Sequence, residues 1–217
     1  MKIEQVMSQL KAWCIDQVGV PESIVSTGFP ELDQLIPEGG WPRETVIEIL
    51  SPVSKRAPLH LLMPLLARLG EQDRWLSWIA PTETPYAPAL AAAGVDLGKV
   101  QTVLPKKGQD ALWTVEQSLA SGASSIVLGW PAFTDKTVLR RTQEAAEEGE
   151  TMCILFRPDT LASEPSQAIL RLQVDYDIDG SMLVTLLKRS GGPETGPVRI
   201  DFGAASPLAQ YSFDMAC

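Results

Sequence analysis

The residues best placed to do chemistry follow the first long apolar strand, Val46-Ile47-Glu48-Ile49-Leu50. A nucleotide-binding parallel sheet carries its phosphate loop at that junction. The working pattern is G-x-x-x-x-G-K-[ST]. Its glycines let backbone amides close around phosphate, its lysine neutralises the outer phosphates, and its hydroxyl holds magnesium. Here Ser51-Pro52-Val53-Ser54-Lys55-Arg56-Ala57-Pro58 stands in that frame. Ser51 and Arg56 take the glycine positions, Ala57 the lysine position and Pro58 the hydroxyl position. Pro58 also removes a backbone donor that would face phosphate. A magnesium-holding Asp is expected after a middle apolar strand, but Ser125-Ile126-Val127-Leu128 leads into Gly129-Trp130-Pro131. Ala80-Pro81-Thr82 follows Ile79 where a catalytic base would stand, and Glu83 is the nearest carboxylate. Lysine, hydroxyl, metal acid and base are missing together. The expectation is a chain that is not an enzyme, hydrolyses no ATP and takes no cofactor. Lys55 and Arg56 could meet an anion at a helix start, but without the glycines they make no nucleotide site.

The other reactive residues are sparse. His60 is the only histidine, which excludes a multi-histidine metal site and argues against a Ser-His-Asp triad. Cys14, Cys153 and Cys217 are odd in number and far apart, so they form neither a disulfide framework nor a zinc site, and a reducing cytoplasm fits them. No catalytic, cofactor-binding or metal-ligating residue is assigned. The candidates that remain would bind a partner. Met7, Leu10 and Trp13 lie on an amphipathic N-terminal helix that either packs on its own core or docks on another protein. Trp41 and Trp130 stand in turns, where an exposed indole would anchor an interface and a buried one would be core. Arg140, Arg141, Lys188 and Arg189 belong to basic pairs, as do Lys106 and Lys107. Such pairs are ordinarily solvated surface. Lys188-Arg189, beside Gly191-Gly192, could instead contact nucleic acid or an acidic partner.

The elements that must position these residues alternate. Residues 2–18 read as a helix stopped by Gly19 and Pro21, and a short helix carries Leu32, Leu35 and Ile36. Pro37 to Pro42 reads as a turn and Val46 to Leu50 as a strand. A helix over Pro58–Leu69 should bend at Pro64. Strands are predicted at Arg74–Ile79, Val100–Leu104, Ser125–Leu128 and Thr151–Phe156. Helices are predicted at Pro85–Ala93, Gln109–Ser121 and Thr134–Glu148, each stopped by a glycine. This alternation predicts an α/β fold, a mostly parallel sheet with helices on both faces. Three further strands, near Leu170–Val174, Met182–Leu187 and Val198–Phe202, are expected to extend one edge as antiparallel C-terminal strands. The domain expectation is an N-terminal helix and linker over 1–20, one domain over 21–203, and a mobile tail over 204–217.

At roughly 100–200 residues per domain, 217 residues make one domain with small appendages. A hydrophobic content of 45% against 21% charged residues is that of a chain with a full core. No apolar run approaches the roughly 18–20 residues needed to cross a membrane, and the N-terminus lacks a signal peptide's basic head and apolar stretch. Eighteen Lys and Arg against 27 Asp and Glu give a net charge of −9, unlike a protein that grips nucleic acid through its overall field.

The stretch Ile24-Val25-Ser26-Thr27-Gly28, then Leu32-Asp33, Glu38 to Pro42 and Val46 to Ile49 resembles the opening of the RecA recombinase core. The wording of Pro37–Pro42, Leu62–Leu69, Trp78–Gly94, Asp110–Gln117, Leu139–Gly149, Phe156–Pro158 and Leu187–Pro193 is similar to the ImuA family of RecA-like SOS-response proteins. SulA belongs to the same superfamily and shares roughly Val46 to Pro158, without the terminal strands. The resemblance implies a RecA-like core and expression after DNA damage. It implies protein partners: RecA, the ImuB-type Y-family homologue and a DnaE-type polymerase. RecA-type DNA loops would fall at Gly129–Phe133 and Arg157–Ser166, both poor in Lys and Arg, so direct DNA binding is expected to be weak or absent. The first functional reading is a non-catalytic adaptor for error-prone translesion synthesis. The alternative is a SulA-type cell-division inhibitor that blocks assembly of FtsZ.

Overall fold

The computed structural model describes residues 23–106, 110–131, 136–188 and 195–202. The N-terminal helix and the C-terminal tail expected from the sequence lie outside them. A small antiparallel pair, β1 (Ile24–Val25) with β2 (Trp41–Pro42), brackets helix α1 (Pro30–Leu35). Proline opens α1, where its missing N–H costs nothing. Asp33 ties the approach to α1, accepting from the Ser26 hydroxyl and the Thr27 amide, both at 2.7 Å.

The remaining strands form one eight-stranded sheet. In chain order they are β3 (Val46–Ser51), β4 (Trp75–Ile79), β5 (Val100–Val103), β6 (Ser124–Gly129), β7 (Met152–Pro158), β8 (Leu170–Tyr176), β9 (Met182–Lys188) and β10 (Thr195–Ile200). Their order across the sheet is β10-β9-β8-β3-β7-β6-β4-β5. Strands β3 to β8 run parallel, and β9 and β10 are antiparallel additions. The first of the three terminal strands therefore differs from expectation: β8 pairs with β3 in parallel. Residues 159–169 carry the chain from β7 across β3 to β8. A parallel pair needs such a crossover, and this one contains a 3-10 turn, Asp159–Leu161, instead of a helix.

Residues alternate between the faces with the period of two that a strand imposes. On one face Ile47, Ile49, Trp78, Leu128 and Ile154 pack under α1, a 3-10 turn at Leu59–Leu62, α2 (Met63–Gly70) and α3 (Ala87–Ala92). On the other, Val46, Val127, Cys153 and Leu155 meet Val115 and Leu119 of α4 (Asp110–Ala120) and Leu139 and Ala146 of α5 (Lys136–Glu148). The expected bend at Pro64 is a change of helix type. The 3-10 turn ends at Leu62, and Pro64 sits in the first turn of a new α-helix, where it breaks no hydrogen bond.

The ends of α4 and α5 meet at one point. Gly122 ends α4 with φ +65°. Gly149 was expected to end α5 in the same way, but Glu150 takes the left-handed position, at φ +48°. Gly149 is needed for proximity: a Cβ there would lie 1.8 Å from the Leu119 carbonyl oxygen. Arg74 pins the junction, donating to the carbonyls of Gly149 at 2.8 Å and Glu150 at 3.0 Å and to the Thr151 hydroxyl at 2.8 Å.

His60 packs beside Phe202, ring centroids 5.8 Å apart, and burial lowers its pKa below the ordinary 6.5. The unfolded chain then binds the proton more tightly than the fold does. This contribution to stability is present above about pH 6.5 and falls as pH drops toward the lowered folded value. Melting curves from about pH 7.5 to about pH 5.5 should show a smaller loss for His60→Leu than for the wild type. Parallel losses would contradict the assignment.

Candidate functional site at the carboxyl ends of the parallel strands

Ligands of open parallel sheets sit at the carboxyl ends of the strands. Here the loop after β3 is folded on itself. The Lys55 amide donates to Pro52 at 2.9 Å and the Leu59 amide to Ala57 at 2.7 Å, so neither points at a phosphate position. The α-helix starts at Met63, well beyond the loop, and the 3-10 turn before it brings no long helix dipole to the loop. Arg56 is drawn aside to Glu83 at 2.9 Å, and its carbonyl accepts from the Tyr176 hydroxyl at 2.7 Å. Below, Ala57 packs on the core, and Trp130 stacks between Trp78 and Phe156, with centroids 5.9 and 4.7 Å apart.

Among polar neighbours such as Lys55, Arg56 and Glu83, this end also presents large apolar side chains to solvent. Val53 after β3, Leu104 after β5, Trp113 in the first turn of α4 and Tyr86 before α3 are 75%, 72%, 62% and 60% exposed. Trp113 lies off the Ala111–Val115–Leu119 stripe that buries α4, a signal readable from helical spacing. The other three have no sequence signature, since a loop residue's exposure depends on what the fold places over it.

A second arrangement escaped the sequence reading. Glu48 is fully buried in the middle of β3. Arg157 Nη1 of β7 donates to its Oε1 and Arg171 Nε of β8 to its Oε2, each at 2.7 Å. Arg171 also donates to the carbonyls of Leu161 at 3.0 Å, Ala162 at 3.3 Å and Glu164 at 2.9 Å. It thereby satisfies the carbonyls of a crossover that has no helix to absorb them. A register shift between β8 and β9 sets Lys188 opposite Arg171. The Lys188 ammonium donates to the Ser166 carbonyl at 2.5 Å. Burial and the neighbouring Arg171 hold its pKa below the ordinary value, while Glu48 acts in the opposite sense. The signal for this network was present: Glu48, Arg157 and Arg171 each stand inside a mostly apolar strand.

The residues singled out from the sequence do not converge. Trp41 is fully buried, because its pairing with Val25 folds it inward, and it is no surface anchor. Trp130 is half-buried, with its indole N–H unpartnered among the described residues. Arg141 pairs with Glu116 of α4 at 2.9 Å and Arg140 with Glu144 at 3.6 Å, both on the exposed side of α5. Lys188 is at the far end of the sheet from Trp130, in the buried network. Met7, Leu10, Trp13 and Arg189 lie outside the described residues. Among the described residues no cluster of His, Cys, Asp or Glu could hold a metal, and no helix is long and apolar enough to cross a membrane.

Comparison with known proteins identifies the part of the chain that carries a family signature. Residues 45–153, from β3 to the start of β7, match the family model described as cell division inhibitor SulA. A protein named cell division inhibitor SulA from Edwardsiella piscicida is 39% identical over 112 residues, covering 50% of this chain and 66% of that protein. One of the same name from Photorhabdus laumondii is 33% identical, covering 50% and 62%. The match thus spans less than two thirds of these relatives' own length. The crystal structure of SulA from Pseudomonas aeruginosa aligns over 52% of this chain and 97% of that one, at 25% identity and a TM-score of 0.43. The family model and the named relatives overturn the translesion-adaptor reading. The relatives are named as division inhibitors, and the ImuA-like wording that suggested RecA, ImuB and DnaE partners does not decide function. The terminal strands that favoured the adaptor lie beyond the matched stretch.

Proposed function

The chain belongs to the SulA family, and from that membership we propose that it is a non-catalytic inhibitor of cell division, made after DNA damage, that binds FtsZ and blocks its assembly. The observation that carries the reading is the family match over residues 45–153, which include β3 to β6 with the helices between them. The chemistry of the β3 loop supports the non-catalytic part. It lacks the phosphate-loop residues, and the amides of Lys55 and Leu59 are occupied. Inhibition then works by occupying a surface of FtsZ. DNA binding has no place in this mechanism: the crossover 159–169 holds no Lys or Arg and two acids. A RecA-type ancestry of the parallel core is a further part of this reading, supported by the position of the remnant loop after β3.

Expression of the full chain in a rod-shaped bacterium should give long filamentous cells that continue to replicate DNA. Cells that divide at normal length while the protein accumulates in soluble form would contradict the proposal.

A further inference from the structure

We propose that the rim formed by the carboxyl ends of β3, β7, β6, β4 and β5 is the docking surface, and that it receives an FtsZ surface presenting carboxylates around an apolar centre. This rests on the functional reading above. Between β3 and β5 lie three other strands, so at about 4.8 Å per strand the rim runs for roughly 20 Å. Along it stand Val53, Tyr86, Leu104 and Trp113, all at least 60% exposed, whereas the opposite end exposes Trp75 and Leu97 less fully, at 43% and 42%. A concentration of exposed apolar residues of this kind marks an interaction surface, and tryptophan and tyrosine are common anchors in one. All four fall inside the stretch that carries the family signature.

Charge selects the occupant. In a chain of net charge −9, Lys55 and Lys106 flank the rim with no acidic partner among the described residues. The opposite end of the sheet carries Glu71, Asp73, Asp96, Glu147, Glu148 and Glu150 against Arg68, Arg74 and Lys99. Glu83 on the rim is neutralised by Arg56 and Asp110 opens α4 nearby, so the two lysines leave the rim more favourable to acidic surfaces than the opposite end is. It is also pre-organised. Arg56 joins the loops after β3 and β4 through Glu83, and Tyr176 fixes the first loop to β8. Little ordering is left for the moment of binding.

The test is the affinity of purified FtsZ for the full-length chain and its variants, at low and high salt. Trp113→Ser combined with Leu104→Ser should weaken binding at least tenfold. Lys55→Glu combined with Lys106→Glu should weaken it by about tenfold and remove most of its salt dependence. Ile178→Ser, a fully exposed residue in the β8–β9 turn outside the family stretch, should change nothing. All these side chains are exposed, so melting temperatures should stay at the wild-type value. Wild-type binding that the rim variants leave within twofold overturns the rim and leaves the functional reading standing. Rim variants that lose self-association by light scattering but keep FtsZ affinity also overturn it, assigning the rim to a second copy. A wild-type chain that does not bind FtsZ overturns the functional reading and the rim together.

Discussion

Replacing Glu48 by Gln should destabilise the fold by about 3–5 kcal/mol, enough to remove a large share of a typical domain's stability. The carboxylate is fully buried and takes one charge-assisted hydrogen bond from each of two buried arginines. Glutamine keeps the shape and removes the charge, so Arg157 and Arg171 are left together in the interior without a counter-ion. Lys188, set opposite Arg171, adds to the repulsion. The loss reaches beyond the pair. Arg171 holds three carbonyls of the β7–β8 crossover; a displaced guanidinium would leave those of Ala162 and Glu164 without it, while Leu161 keeps only the Glu164 amide. Urea unfolding measures the effect. If the variant is too unstable to purify, Arg157→Met serves instead: it removes one cation and leaves a neutral Glu48–Arg171 pair, so its loss should be measurable and smaller. A loss below about 1 kcal/mol for Glu48→Gln would show that the network is not what secures the crossover.

Gly149→Ala should be nearly as damaging, at about 3 kcal/mol, the upper end for forcing a methyl group into packed surroundings. The added Cβ would meet the Leu119 carbonyl oxygen at 1.8 Å and the Gly122 nitrogen at 3.0 Å. These are backbone atoms, so no rotamer change relieves the contact. The ends of α4 and α5 would have to separate, loosening the Val115–Leu119 and Leu139–Ala146 packing and the carbonyls that Arg74 grips. For a chain of this size the melting temperature should fall by roughly 6–12 °C. A fall of under about 2 °C would mean that the two helix ends are not in contact in solution.

The layers were legible because periodicity is a local property. Near-continuous apolar runs such as Ile126–Leu128 and Ile154–Phe156 announce strands buried on both faces, and the Ala111–Val115–Leu119 stripe announces a helix lying on them. The direction of β8 was not legible. Nothing in Leu170–Val174 records on which side of β3 the strand enters, and the Arg171 clip that makes a helix-free crossover tenable is set by tertiary contacts. Trp41 shows the same limit: a tryptophan between Gly40 and Pro42 reads as a turn until β1 is known to pair with it. At the candidate site, the residues that stand in the phosphate-loop frame could be read one by one, because a motif is local. The rim could not, since it is assembled from the ends of strands far apart in the chain.

The central claim is inhibition of FtsZ assembly without catalysis by this chain. Its most direct test is sedimentation of purified FtsZ with GTP against increasing amounts of the full-length protein. Pelleted polymer should fall as the chain approaches equimolar ratio, and the chain itself should consume no nucleotide. Polymer that pellets undiminished in the presence of excess, correctly folded chain would contradict it.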